Sequence, residues 1–307
     1  MITSKGNVLD IFADLHNHTT ASDGDYSPEG LVEKARELGL KALGITDHDT
    51  LNGLGPALEA GHGHDLVVVP GVEVSVRFKL SMFTGTLHLL CYFRPEKLKD
   101  DAFVRAFGDV LSKGRGQGLV RARIDQINMV FGPHGSSPLL KRDMNFEDIS
   151  VYSSNASRRH FAMALDQRLG IRDKEVINAI IGNDSPAYLP SGIDLGAAAG
   201  FIKEHRITPV LAHPAAGSYP GQGHYREVLP PVETVEKLLP DFLDAGIQGI
   251  EVNYPGHSPE HRALVLSWAK NHDLFITGGS DCHDGIERPL GVAGISEQEF
   301  KRFKGAL

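Results

Sequence analysis

The stretch SPEGLVEKARELGLKALGITDHD, residues 27–49, carries the pattern on which the fold turns. Ser27 suits a helix N-cap, Pro28 the first helical position, and Glu29 puts an acid at the positive end of the helix dipole. Leu31, Ala35 and Leu38 recur at helical spacing, and Gly39 ends the run. Ala42 to Thr46 then reads as a short apolar strand that empties into Asp47-His48-Asp49. A helix feeding a buried strand, with polar chemistry at the strand's exit, is a unit of a mainly parallel sheet covered by helices.

The same alternation extends outward. Ile11 to His16 reads as a preceding strand, Leu54 to Ala60 as a weaker helix, and Leu66 to Val69 and Leu87 to Phe93 as further strands. It breaks between residues 95 and 200, which show helical stretches, turn clusters such as Gly132-Pro133-His134-Gly135, and little strand signal. It resumes with helix Leu195 to His205, strand Thr208 to Ala212, helix Val232 to Ala245, strand Gly249 to Asn253, helix Ser258 to Asn271 and strand Leu274 to Thr277. A sheet that is interrupted and then completed is one domain with a cap. The expected fold is α/β: a β/α barrel from residues 1–94 and 201–307, with a mainly helical insertion over 95–200.

Composition narrows the function classes. A chain of 307 residues with 41% hydrophobic and 23% charged content buries a core without staples. No apolar run approaches the ~20 residues of a membrane span, and Met1 to Gly6 has no signal-type stretch, so a cytoplasmic protein is expected. Cys91 and Cys282 are too few for a disulfide framework. A net charge of −8 argues against stable binding to duplex nucleic acid. The insertion is nearly neutral, with 14 Lys+Arg against 13 Asp+Glu, so the acidity lies in the barrel segments.

The chemistry sits where strands end. Asp14-Leu15-His16-Asn17-His18 closes the first strand, and residues i and i+2 share a face, so His16 and His18 can grip one ion. Asp23 follows in the next loop, His48 ends the second strand, Glu73 the third, His88 lies in the fourth, His213 follows the fifth, and Asp281 and His283 follow the last. Parallel barrel strands bring such ends to one face. Imidazole with carboxylate suits Zn, Mn or Fe, and nine ligands are too many for one ion, so two or three divalent ions are expected. A lone H-x-H is weak: His62-Gly63-His64 has the spacing but lies in a helix-to-strand loop. The same chemistry at six successive strands is not weak.

The motifs D-L-H-x-H (Asp14–His18), T-D-H-D (Thr46–Asp49), P-G-x-E (Pro70–Glu73), A-H-P (Ala212–Pro214) and G-S-D-x-H (Gly279–His283), in this order, resemble the PHP family of polymerase-associated and histidinol-phosphatase domains. The resemblance implies a distorted (β/α)7 barrel. It implies one ion on His16, His18, Glu73 and Asp281, a second on Glu73, His88 and His213, and a third on Asp23, His48 and His283. Ser157-Arg158-Arg159-His160-Phe161-Ala162 and Glu251-Val252-Asn253-Tyr254-Pro255-Gly256-His257-Ser258 resemble segments of the stand-alone branch, whose members include nucleotide phosphatases and an RNA-trimming exonuclease. By that likeness Arg158, Arg159 and His257 bind substrate phosphate. His257 is also a candidate proton donor, and Asp47 a catalytic or ligand-orienting carboxylate.

The expected function is hydrolysis of a phosphate monoester by a hydroxide bridging metal ions, since bound metal lowers the pKa of water from 15.7 to about 7. The small phosphorylated substrate is expected to be a nucleotide, a nucleotide 3',5'-bisphosphate or a short oligonucleotide, because six basic residues and only Asp125 as an acid lie between Lys113 and Arg142. Histidinol phosphate and cyclic sugar phosphates are alternatives. So are amidohydrolase chemistry, against which Arg158 and Arg159 weigh, and a non-catalytic metal module, against which the ligand count weighs.

Overall fold

The computed structural model describes residues 11–153, 155–221 and 229–307; the reading of Met1 to Gly6 therefore lies outside the described residues. Seven strands form one sheet in sequence order. They are β1 (Ala13–Asp14), β2 (Ala42–Ile45), β3 (Val67–Leu80), β4 (Phe83–Tyr92), β5 (Thr208–Leu211), β6 (Gly249–Asn253) and β7 (Phe275–Gly278). The ring is drawn together where Leu15 N donates to the Gly278 carbonyl at 3.1 Å and Asp281 N to the His16 carbonyl at 2.8 Å. The fold is a nearly closed seven-stranded barrel with helices outside and a mainly helical insertion.

The helix α1 (Pro28–Glu37) starts as its sequence dictates: Ser27 Oγ accepts from Gly30 N at 3.0 Å, and Pro28 follows the cap. Gly39 closes it with a φ of 78°, which glycine adopts without a Cβ penalty. Leu31, Val32 and Ala35 are the buried face; Leu38 is 48% exposed, so the apolar stripe runs through Val32 instead. β2 is buried on both faces, as a covered parallel strand must be. Its Gly44 lies so close to β1 that an added Cβ would strike the Leu15 carbonyl.

β4 corrects the parallel reading. β1, β2 and β3 run parallel, as do β5, β6 and β7, but β4 is antiparallel to both neighbours. Only Ser81 and Met82 separate β3 from β4, whereas a parallel return needs a crossover of about a dozen residues or more. Glu73 and His88 are therefore not at strand ends. They lie within the two arms of a long hairpin, opposite Leu90 and Ser75 respectively.

The hairpin runs on past the barrel rim and meets the insertion. Thr86 Oγ1 donates to the Ser191 carbonyl at 2.8 Å, Ile193 N to the Ser75 carbonyl at 3.0 Å, and Arg77 N to the Ile193 carbonyl at 2.7 Å. The helices α3 (Asp101–Ser112) and α8 (Leu195–His205) pack on the barrel's outer core, with the Phe107 and Phe201 rings 4.6 Å apart. Between them α4 (Gln117–Phe131), α5 (Phe146–Ser150), α6 (Arg158–Gln167) and α7 (Lys174–Ile181) build a separate core around Ile124, Phe131, Ile149, Phe161 and Ile180.

The other barrel helices are α2 (Leu54–Gly61), α9 (Val232–Asp244), α10 (Pro259–Asn271) and α11 (Glu297–Ala306). The last packs Phe300 and Phe303 against Tyr92, Phe275 and Ala13. The fully buried Phe303 ring sits 5.0 Å from Tyr92 and 5.7 Å from Phe275. Phe303→Ala should cost about 3–5 kcal/mol of stability through lost transfer energy and a cavity, read as a lowered urea midpoint at unchanged m-value.

Candidate metal centre

Glu73 is the hub. Its Oε1 lies 3.0 Å from His88 Nδ1 and 3.0 Å from His213 Nε2. Its Oε2 lies 3.1 Å from His16 Nε2, 3.0 Å from His18 Nε2 and 3.2 Å from His48 Nδ1. The segment after β1 supplies His16 and His18, the one after β2 His48, the β3–β4 hairpin Glu73 and His88, and the one after β5 His213. The turn after β7 adds Asp281, whose Oδ1 is 3.1 Å from His18 Nε2, and His283, whose Nε2 is 3.5 Å from Asp23 Oδ1. His213 and Asp281 hold φ angles of 26° and 50°, a strained region for a side-chain-bearing residue; such strain persists where a site over-determines it.

Among the described residues three groups have ligand atoms within 4.8 Å of one another: His16, His18, Glu73 and Asp281; His18, Asp23, His48 and His283; and His48, Glu73 and His88. The first coincides with the set the resemblance implies for one ion. The third implied set gains His18. The second differs by having His48 beside Glu73 and His88, and His213 also adjoins these two, with its Nε2 3.4 Å from His88 Nδ1.

The donor set fits cations. His16 Nδ1 faces the Glu251 carboxylate at 3.2 Å, an acceptor that favours a proton on Nδ1, and its Nε2 turns inward, 3.3 Å from His18 Nε2. Asp23 Oδ1, His48 Nδ1 and His213 Nδ1 are buried and make no hydrogen bond among the described residues. Burial opposes charge on His16, yet Glu251, Glu73 and Asp281 together raise its pKa well above the usual range. Burial likewise opposes charge on Glu73, but His48, His88 and His16 hold it well below the usual carboxylate range. Carboxylates that draw this much positive charge inward, with nitrogen donors and no thiolate among them, suit Zn, Mn or Fe.

A PHP domain model matches residues 14–165. The 3',5'-nucleoside bisphosphate phosphatase of Chromobacterium violaceum is 29% identical, over 88% of this chain and 86% of its own. The 5'-3' exoribonuclease Rnm of Escherichia coli K12 is 25% identical, over 93% and 92%. The chain carries a PHP domain. A Bifidobacterium adolescentis structure assigned as a metal-dependent phosphoesterase aligns with a TM-score of 0.71 at 25% identity, over 96% of both chains. This PHP chain is a metal-dependent phosphoesterase, a hydrolase of phosphoric ester bonds.

Above the metal centre of this PHP barrel lies a cavity of about 420 Å³, lined on one side by Asp23, His48, Glu73, His88, His213, Asp281 and His283. Its other wall comes from the insertion and includes Arg115, Arg123, Arg158 and Arg159. Arg159 donates to the Asp23 carbonyl and to the Asp25 carboxylate, both at 3.0 Å, so it also ties the insertion to the barrel loop. Arg158 donates to Asn183 Oδ1 at 2.8 Å.

Two expectations change. His257 is buried and does not line the cavity: its Nδ1–H donates to the Val252 carbonyl at 3.0 Å, and its Nε2 accepts from Ala215 N at 3.2 Å. Burial pushes its pKa down to about 3, so it is a neutral ring with neither nitrogen left for phosphate or for a leaving group. Among the described residues Asp47 makes no direct side-chain hydrogen bond to a candidate ligand and reaches one through Ser22, whose Oγ lies 3.5 Å from His18 Nδ1. It accepts from Thr19 N and Oγ1, both at 2.7 Å, and from Ser22 Oγ at 2.6 Å, and so shapes the loop that delivers Asp23.

Sequence reading assigned no role to Glu251, Tyr254 or Arg288, and took Arg115 and Arg123 only as part of the basic stretch from Lys113 to Arg142. Tyr254 Oη and Arg288 Nη1 both donate to Asp281 Oδ2, at 3.0 and 2.7 Å, which leaves Oδ1 turned toward His16 and His18. Glu251 lies within β6, as Glu73 lies within β3. Arg123 carries a subtler signal: it stands among Val120, Ile124 and Ile127, on the buried face of α4.

Proposed function

We propose that the chain hydrolyses a phosphate monoester on a substrate that carries a second anionic group, such as a nucleoside 3',5'-bisphosphate or the phosphorylated end of a short oligonucleotide. The observation that carries this reading is the two-sided cavity, with a carboxylate–imidazole floor facing a wall that holds Arg115, Arg123 and Arg158. Arg123 is half-buried, donates twice to the Leu189 carbonyl at 3.0 and 2.8 Å, and pairs with no carboxylate among the described residues. Burial, then Arg115 and Arg158, lower its pKa to about 9, so it stays charged at neutral pH. A partly desolvated cation without a counter-anion is poised to take one from a ligand. Two of the relatives named above are called a nucleoside bisphosphate phosphatase and an exoribonuclease, which agrees with a doubly charged substrate.

In this reading His16, His18, Asp23, His48, Glu73, His88, His213, Asp281 and His283 hold two or three ions. When bound, such ions supply an activated water at neutral pH and offset charge on the phosphoryl oxygens. The barrel's own residues orient the ligands: Tyr254 and Arg288 aim Asp281, and Asp47 shapes the Asp23 loop. The insertion over residues 95–200 selects the substrate. Its guanidiniums hold the distal anion and thereby position the scissile ester over the metal centre. No helix of the described residues is long and apolar enough to cross a membrane, and the reading places the enzyme in the cytoplasm.

Phosphate release from p-nitrophenyl phosphate should be lost in excess EDTA and return with Mn²⁺, with two or three metal equivalents by elemental analysis. On a panel of esters, adenosine 3',5'-bisphosphate should exceed AMP, histidinol phosphate and cyclic ribose phosphate in kcat/KM. A preference for any substrate with a single anionic group would remove the two-sided reading, and full activity in EDTA would remove the metal reading.

A further inference from the structure

Glu251 stands in β6 with its side chain fully buried. Its Oε1 and Oε2 lie 3.2 and 3.3 Å from His16 Nδ1, and Oε2 also accepts from the backbone N–H of His213 at 2.8 Å. One carboxylate thus holds two ligand candidates on different strands. His16 faces Asp281 and His18, whereas His213 faces His88, and both meet Glu73. The bond to His213 also restrains a residue whose φ of 26° an unsupported histidine seldom adopts.

We infer that Glu251 is a positioning residue that keeps the proton of His16 on Nδ1 and pins His213, so that both rings present Nε2 to the metal centre. The inference rests on the metal reading above. A metal-binding imidazole needs the unprotonated nitrogen toward the ion, and the partner of the other nitrogen decides which one that is. Glutamine at this position cannot do both tasks. With its oxygen in place of Oε2 it still serves the His213 N–H, but its NH2 then faces His16 Nδ1 and favours moving the proton to Nε2. Turned the other way, the NH2 opposes the His213 N–H.

The test is Mn²⁺ affinity of metal-stripped protein, measured by competition with a fluorescent chelator. E251Q should bind at least ~10-fold more weakly than wild type, while the melting temperature of the metal-free protein stays the same. Equal Mn²⁺ affinity overturns the inference, whatever E251Q does to stability. A wild-type protein that binds no Mn²⁺ overturns the metal reading and this inference with it. Should E251Q fail to fold, the His16 tautomer in Zn²⁺-loaded wild type decides by ¹⁵N NMR: a proton on Nδ1 is the expected result, and a proton on Nε2 overturns the assignment.

Discussion

Glu73→Gln is expected to lower kcat/KM by at least ~1,000-fold, about 4 kcal/mol, and to reduce bound metal by one equivalent or more. The reason is that both oxygens of Glu73 are committed. Oε1 faces His88 and His213, and Oε2 faces His16, His18 and His48. An amide has one acceptor atom and one donor. Whichever way it lies, its NH2 points at one of these nitrogen sets and cannot share an ion with it. The substitution also removes one negative charge from the middle of a cluster of imidazoles. Elemental analysis paired with steady-state hydrolysis of p-nitrophenyl phosphate measures both effects. His62→Ala and His64→Ala are the controls: both residues are exposed at the end of α2, and neither should move rate or metal content. Wild-type turnover in Glu73→Gln would mean that the chemistry lies outside this cluster.

The candidate metal centre was legible as a cluster because its residues obey local rules. His16 and His18 are an i, i+2 pair, and so are Asp281 and His283; each pair follows a short apolar strand, so spacing alone directs both members toward one region. Helix starts such as Ser27-Pro28 were legible for the same reason, since a cap is satisfied within three residues. What escaped depends on partners distant in sequence. The reversal of β4 turns on Ser81-Met82, which lacks the Asn-Gly or Asp-Gly signature of a tight hairpin. Leu38 fits the helical stripe, but α1 ends beside it and leaves it exposed. His257 sits in a segment resembling a phosphate-binding one, yet its ring is taken by Val252 and Ala215, the latter 42 residues away. Glu251 reaches His16 across 235 residues, a contact no local pattern announces.

Arg123→Met should lower kcat/KM on a nucleoside 3',5'-bisphosphate at least ~100-fold, about 2.7 kcal/mol, and change the rate on p-nitrophenyl phosphate far less. Methionine roughly preserves the side chain's volume beside Phe161 and Leu189 while removing the charge. Metal content should not change, because Arg123 belongs to the insertion wall and not to the ligand groups. The folded state should lose no more than about 1 kcal/mol, since relief of a half-buried, carboxylate-free cation offsets the two lost bonds to the Leu189 carbonyl. That balance is what gives the variant its meaning. A guanidinium that stabilised the fold would be missed in the melting curve on every substrate alike. One kept for an anionic ligand would be missed only when that ligand has a second anionic group. If the loss appears in KM with kcat intact, Arg123 binds ground and transition states equally; if kcat falls too, the contact tightens as the ester is cleaved. Equal kcat/KM for wild type and variant on the bisphosphate would overturn the assignment of the distal anion to this wall of the cavity.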